Sequence, residues 1–148
     1  MIDYYDRLIR VKSLFILSAV FLTSALVVTT PAAADTQIPF GQMISESINS
    51  PVEIDKYTFD AVAGDRVLVR MTTISPSLVD SQILLYAPDG SLLNNSYDKY
   101  GPGATEIASA PLPTSGTYTV LAQDAYSNDT GEYEIYIQRL NNPEITTP

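Results

Sequence analysis

"SGTYTVLAQDAYSNDTGEYEIYIQ", Ser115–Gln138, decides the fold of this chain. Side chains alternate on both sides of its middle. Tyr118, Val120 and Ala122 stand against Thr117, Thr119 and Leu121; further on, Tyr133, Ile135 and Ile137 stand against Glu132, Glu134 and Gln138. A period of two belongs to a strand with one face in a core. Between the runs lies Ser127-Asn128-Asp129-Thr130-Gly131. Its Asp-Thr-Gly reads either as half of an aspartic protease site or as a turn. The protease needs two such aspartates sharing a proton, each desolvated at the end of an apolar run. This chain has one, and it follows Ser127-Asn128. The stretch is therefore read as a hairpin loop, with Asn and Asp side chains bonding the local backbone and Gly131 supplying the bend.

The same pattern extends upstream. In "VEIDKYTFDA", Tyr57, Phe59 and Ala61 oppose Lys56, Thr58 and Asp60, and Ala63-Gly64-Asp65 forms a turn. In "RVLVRMTTI", Val67, Val69 and Met71 share a side before Ser75-Pro76-Ser77 breaks the run. "SQILLYAPDGSLLNN" reads as a hairpin: Ile83 and Leu85 point one way, Leu84 and Tyr86 the other. Pro88-Asp89-Gly90 turns the chain into a return strand over Ser91–Asn94. "QMISESI" from Gln42 and "ATEIASAPL" from Ala104 add short strands, and "SYDKYGPG" from Ser96 is a longer loop. Eight or so short strands with regular turns and no helical period predict an all-β fold: an antiparallel, jelly-roll-like β-sandwich over residues 41–140. Residues 35–40 form a short leader into it and 141–148 a flexible tail.

The first 34 residues read differently. Arg7, Arg10 and Lys12 outweigh Asp3 and Asp6, Ser13–Val28 is almost wholly apolar, and Ala32-Ala33-Ala34 ends the segment. This order describes a secretory signal peptide cut after Ala34. The alternative is an uncleaved membrane anchor, for which the apolar stretch of 16 residues falls short of the ~20 a spanning helix needs. Cleavage would leave 114 residues, with 15 of the 17 acidic side chains and 5 of the 8 basic ones. A surface so acidic repels phosphate backbones and anionic headgroups, so neither nucleic acid nor membrane is an expected partner of the mature chain. The absence of cysteine excludes disulfides and thiolate metal sites, and in an exported protein favours a prokaryotic source.

There is also no histidine. Ser-His-Asp and Cys-His catalysis and imidazole zinc sites are thereby excluded, and neither common Gly-rich phosphate loop is present. Carboxylate chemistry survives in principle, but acids that alternate with apolar residues are the solvated faces of strands. No catalytic residue is assigned.

Taken in order, Asp55/Tyr57/Phe59, Ala63-Gly64-Asp65, Leu85-Tyr86 with Pro88-Asp89-Gly90, Ser115-Gly116-Thr117-Tyr118 and Gly131/Tyr133 resemble the pre-peptidase C-terminal domain of bacteria and archaea. The resemblance covers essentially the whole chain after residue 34. It implies a jelly-roll-like sandwich without catalysis of its own, of a kind usually appended to secreted proteases and related to the collagen-binding domains of clostridial collagenases. Such domains aid secretion or processing, or bind insoluble substrate. With no protease ahead of it here, the expectation is a stand-alone exported copy. Some relatives bind calcium through acids before the first strand and in loops. The oxygens available for that are Glu53, Asp55 and Asp80, with Asp35 the sole acid of the leader. Calcium wants six to eight oxygens, so this set is incomplete and no cofactor is assigned.

Eight tyrosines follow residue 34. Tyr57, Tyr118 and Tyr133 are in phase with the apolar face. Tyr97 and Tyr100 in the "SYDKYGPG" loop and Tyr126 in "DAYSND" are not. A tyrosine offers a rigid apolar body with a polar tip, suited to gripping an extended peptide or glycan; alternatively these three cap the open ends of the sandwich. Asn94-Asn95-Ser96 and Asn128-Asp129-Thr130 fit the glycosylation pattern and are expected in loops. The functional expectation is a secreted, periplasmic or cell-surface binding module for extracellular protein or polysaccharide, or an aid to secretion. The alternative is a structural subunit or chaperone of a surface assembly, associating through sheet edges.

Overall fold

In the computed structural model, the structure describes residues 35–78, 80–98 and 103–142. The proposed signal peptide, Tyr100 and residues 143–148 of the tail lie outside the described residues, while Asn141 of the tail accepts from the Arg66 N–H at 3.0 Å. Nine strands form: β1 (Thr36–Gln37), β2 (Met43–Ile48), β3 (Ile54–Ala61), β4 (Val67–Thr73), β5 (Ser81–Tyr86), β6 (Leu92–Tyr97), β7 (Ala104–Ala108), β8 (Gly116–Asp124) and β9 (Gly131–Arg139). They make a five-stranded sheet, β1-β3-β8-β5-β6, and a four-stranded sheet, β2-β9-β4-β7. Leaving β1 aside, these are the two facing four-stranded sheets of a jelly roll, in which successive strands keep crossing between layers.

The alternation in the sequence becomes the core. Tyr57, Phe59 and Ala61 from β3, Ile83 and Leu85 from β5, and Tyr118, Val120 and Ala122 from β8 are buried from one sheet. Val67, Val69 and Met71 from β4, with Tyr133, Ile135 and Ile137 from β9, meet them from the other. Phe59 stacks on Tyr118 at 5.5 Å between ring centroids and takes the edge of Phe40 at the same distance. On one side the layers are joined by Thr105 Oγ1 of β7 and Ser96 Oγ of β6, 2.9 Å apart.

Four local expectations are corrected. Residues 35–40 are built into the fold: β1 pairs in parallel with β3, Thr36 opposite Tyr57, and Ile38 is fully buried. The chain then changes sheets at Gly41, whose φ of 79° suits a residue without a Cβ. The return strand β6 runs past Asn94 to Tyr97, so Tyr97 ends a strand and Asn94-Asn95-Ser96 lies within one. A bulge between Leu85 and Tyr86 sets this register. In the β8–β9 loop Ser127, at 56°, shares the positive φ with Gly131, at 157°, where Gly131 alone was expected to supply the bend. Gly131 has another reason to be glycine: a Cβ there would lie 3.0 Å from both Leu78 Cβ and Ser75 Cβ.

Candidate functional site

The open end of the sandwich around the β8–β9 loop gathers most of the unexplained chemistry. β8 carries its inward row, Tyr118, Val120 and Ala122, one step further to Asp124, which is only 1 % exposed. The Asp124 carboxylate builds the loop: its Oδ2 accepts from the backbone N–H of Asn128 at 2.8 Å and of Asp129 at 3.3 Å. This is the side-chain turn expected of an aspartate, but made from the strand end. The Ala125 N–H donates to the Asp80 carbonyl at 2.8 Å, tying the loop to the start of β5.

Asp80, Asp124 and Asp129 thereby converge, one carboxylate oxygen from each lying within 4.8 Å of the others. Desolvation, followed by the carboxylates of Asp124, Asp129 and Asp98, pushes the Asp80 pKa above its ordinary 3.8. The Asp129 of the Asp-Thr-Gly triplet is thus a loop residue in an acidic group. The depression beside it holds about 190 Å³, below the ~300–1,000 Å³ of usual ligand clefts.

On the outer surface of the same end, Tyr97 and Tyr126 meet edge to face. Their centroids are 6.4 Å apart, the rings are inclined at 85°, and they are 45 % and 58 % exposed. They line the shallow depression with Gln82 and Ala125. Tyr97, then desolvation and the Asp80 carboxylate, raise the Tyr126 hydroxyl above its usual value of 10. Register explains the surroundings. Gln82 lies opposite both Tyr97 and Gln123, and Gln123 donates to Gln82 at 2.8 Å. Two residues along, Leu84 lies opposite Asn95 and Leu121. The pair therefore borders a mixed polar and apolar strip across β8, β5 and β6.

The calcium ligands implied by the family resemblance do not assemble. Glu53 Oε2 is taken by the N–H groups of Asn49 and Ser50 at 2.5 and 3.0 Å. Asp55 accepts from the Tyr133 hydroxyl at 2.6 Å, and Tyr133 in turn lies 2.5 Å from the Tyr57 hydroxyl. Tyr133 has one proton and gives it to Asp55, so Tyr57 donates to Tyr133. Burial pushes both phenols up; the bonds to Asp55 and Tyr57 raise Tyr133 further, whereas at Tyr57 the Tyr133 bond opposes the burial and the Asp55 and Glu46 charges reinforce it, leaving Tyr57 at about 12. Asp80 belongs to the other acidic group, and Asp35 pairs with Lys56 at 2.8 Å.

Sequence reasoning found Asp80, read Asp129 only as a turn residue and missed Asp124, which joins them. The signal was present: Asp124 is an acid at the next inward position of a core-facing row, where an uncompensated charge is costly.

No family model and no curated protein matches the chain. Among solved structures, the fold is similar to the pre-peptidase C-terminal domain of collagenase from Bacillus anthracis, at 16 % identity and a TM-score of 0.57, over 74 % of this chain and 100 % of that one. The likeness read from the sequence is therefore borne out as a likeness of fold. Two periplasmic inhibitors of g-type lysozyme superpose more loosely. PliG of Aeromonas hydrophila is 17 % identical, with a TM-score of 0.49 over 70 % of this chain and 96 % of that one. PliG of Salmonella Typhimurium is 20 % identical, with a TM-score of 0.46 over 72 % and 97 %.

Proposed function

We propose that this chain is an exported, non-catalytic β-sandwich module, acting in the periplasm, at the cell surface or outside the cell, that binds extracellular protein or polysaccharide. The observation that carries the reading is the exposed Tyr97–Tyr126 pair beside the strip across β8, β5 and β6. Two rigid rings held against each other in water lose little side-chain entropy when a polymer lies across them. A chain with neither histidine nor cysteine lacks the usual nucleophile–base pairs. The fold it shares is that of the pre-peptidase C-terminal domain of a collagenase. Tyr100, expected to join the pair, remains part of the proposal on sequence grounds alone.

The test is retention of the full chain on insoluble collagen, chitin and cell-wall material, comparing wild type with the double substitution Tyr97→Ala, Tyr126→Ala. Lost retention with an unchanged melting temperature supports a binding site. Equal retention, or a large fall in melting temperature, assigns the pair to the fold. Mass spectrometry of the exported protein checks for a mature end at Asp35.

A second reading has an observation of its own. β6 is an edge strand exposed at five of its six residues, including Leu92 and Leu93, and such an edge can accept another strand. Sedimentation that changes with concentration, and ceases to do so in Leu93→Lys, would place the chain in a surface assembly.

A further inference from the structure

The Asp124 carboxylate is buried, and only one of its oxygens is accounted for. Oδ2 accepts the two loop N–H groups; Oδ1 is buried with no hydrogen-bond partner. Directly across the β5–β8 ladder is Ser81, fully buried, whose Oγ also has no partner. Residues directly opposite each other in an antiparallel pair project to the same face, with Cβ atoms about 5 Å apart. Two unsatisfied oxygens thus lie on neighbouring inward positions, and leaving either so costs about 1–3 kcal/mol. Beside the Asp124 carboxylate are those of Asp80 and Asp129. The ion pairs Lys56–Asp35, Arg70–Glu106 and Arg139–Asp65 lie elsewhere in the fold.

We propose that Asp80, Asp124 Oδ1 and Asp129, with Ser81 Oγ, bind one hard divalent cation, of which calcium fits best. The donor set is all oxygen, which selects calcium, magnesium or manganese over softer metals. One oxygen from each of the three carboxylates lies close enough to the others to share an ion at the ~2.4 Å that calcium keeps from its oxygens. Four protein oxygens on a strand end and a loop leave room for waters. This irregular arrangement suits calcium better than magnesium, which demands a near-ideal octahedron. The ion would join the start of β5 to the β8–β9 loop, so its effect is to hold that loop in place. This site differs from the Glu53/Asp55/Asp80 set, and it does not depend on the binding role of the tyrosine pair.

The experiment uses the full chain, stripped with chelator and then titrated at pH 7 with calcium, magnesium or manganese chloride, with calorimetry and thermal melting as readouts. One calcium per chain is expected, with a saturable rise in melting temperature and weaker binding of magnesium. Asp129→Asn should weaken calcium binding by roughly tenfold or more. Asp124→Asn will also disturb the loop it builds, so Asp80→Asn provides the control. Without metal it should melt at or above wild type, because a like-charge contact is relieved. At saturating calcium it should melt below wild type. This crossing is not produced by a purely structural aspartate. Identical melting of wild type in cation and chelator, or the same cation response in Asp129→Asn as in wild type, overturns the proposal.

Discussion

Replacing Tyr133 by phenylalanine deletes a single oxygen and leaves the ring, with its core contacts, in place. That oxygen donates to Asp55 Oδ2 at 2.6 Å and accepts from the Tyr57 hydroxyl at 2.5 Å, linking β9 of one sheet to β3 of the other. A hydrogen bond to an ionised group contributes about 1.5–3 kcal/mol. Tyr57, 2 % exposed, would also lose its acceptor, for about 1 kcal/mol more. The sum is about 3 kcal/mol. In a domain of this size each kcal/mol moves the melting temperature by about 4–8 °C, so a fall of about 12–24 °C is expected. Tyr57→Phe leaves the Tyr133–Asp55 bond intact and should cost about 1 kcal/mol. In the double substitution the second change removes a hydroxyl already without a partner, so the two costs should fall short of additivity by about 1 kcal/mol. Urea unfolding of the four proteins at pH 7, followed by circular dichroism, measures this cycle. A cost for Tyr133→Phe below about 0.5 kcal/mol, the usual scatter of surface changes, would refute the reasoning, and so would strict additivity.

Three further outcomes are expected. Burial, opposed by the Tyr133 hydrogen bond and reinforced by Glu53 and Glu46, raises the Asp55 pKa above 3.8. The folded state therefore holds this proton more tightly than the unfolded chain, and the contribution of Asp55 is full below pH 3.8 and lost as pH rises through the raised value. Melting curves should accordingly show wild type losing stability relative to Asp55→Asn as pH climbs from 3.8; an opposite slope contradicts the assignment. Gly131→Ala should cost about 1–3 kcal/mol, as overpacking does, because its Cβ meets Leu78 and Ser75 at 3.0 Å; a melting temperature equal to wild type would contradict this. In an ultraviolet titration, Tyr57 and Tyr133 should stay un-ionised until about pH 12 or unfolding, whichever comes first; full ionisation of all tyrosines by pH 11 with the fold intact would not fit.

The sandwich was legible because alternation is a local property. Whichever way β3, β5, β8 and β9 pair, a face such as Tyr57-Phe59-Ala61 or Ile83-Leu85 has to leave water, and only a layered sheet takes both faces of every strand at once. The exclusion of imidazole and thiol chemistry was likewise a matter of composition. The end of β6, and with it the placing of Tyr97, was less legible: "NNSY" has little β propensity of its own, and it becomes a strand because β5 offers a paired edge. β1 is two residues long and exists only because β3 is there to receive it.

What the sequence determined by itself was the class of fold, its inward rows and the poverty of its catalytic chemistry, since each follows from residue type and spacing along one strand. Only the tertiary structure decided that Asp80, Asp124 and Asp129 share one corner while Glu53 and Asp55 belong to another, and that Tyr97 meets Tyr126. Those juxtapositions depend on which strands lie side by side and in what register. That choice is made by the packing of two whole sheets against each other, and no segment of the chain carries it alone.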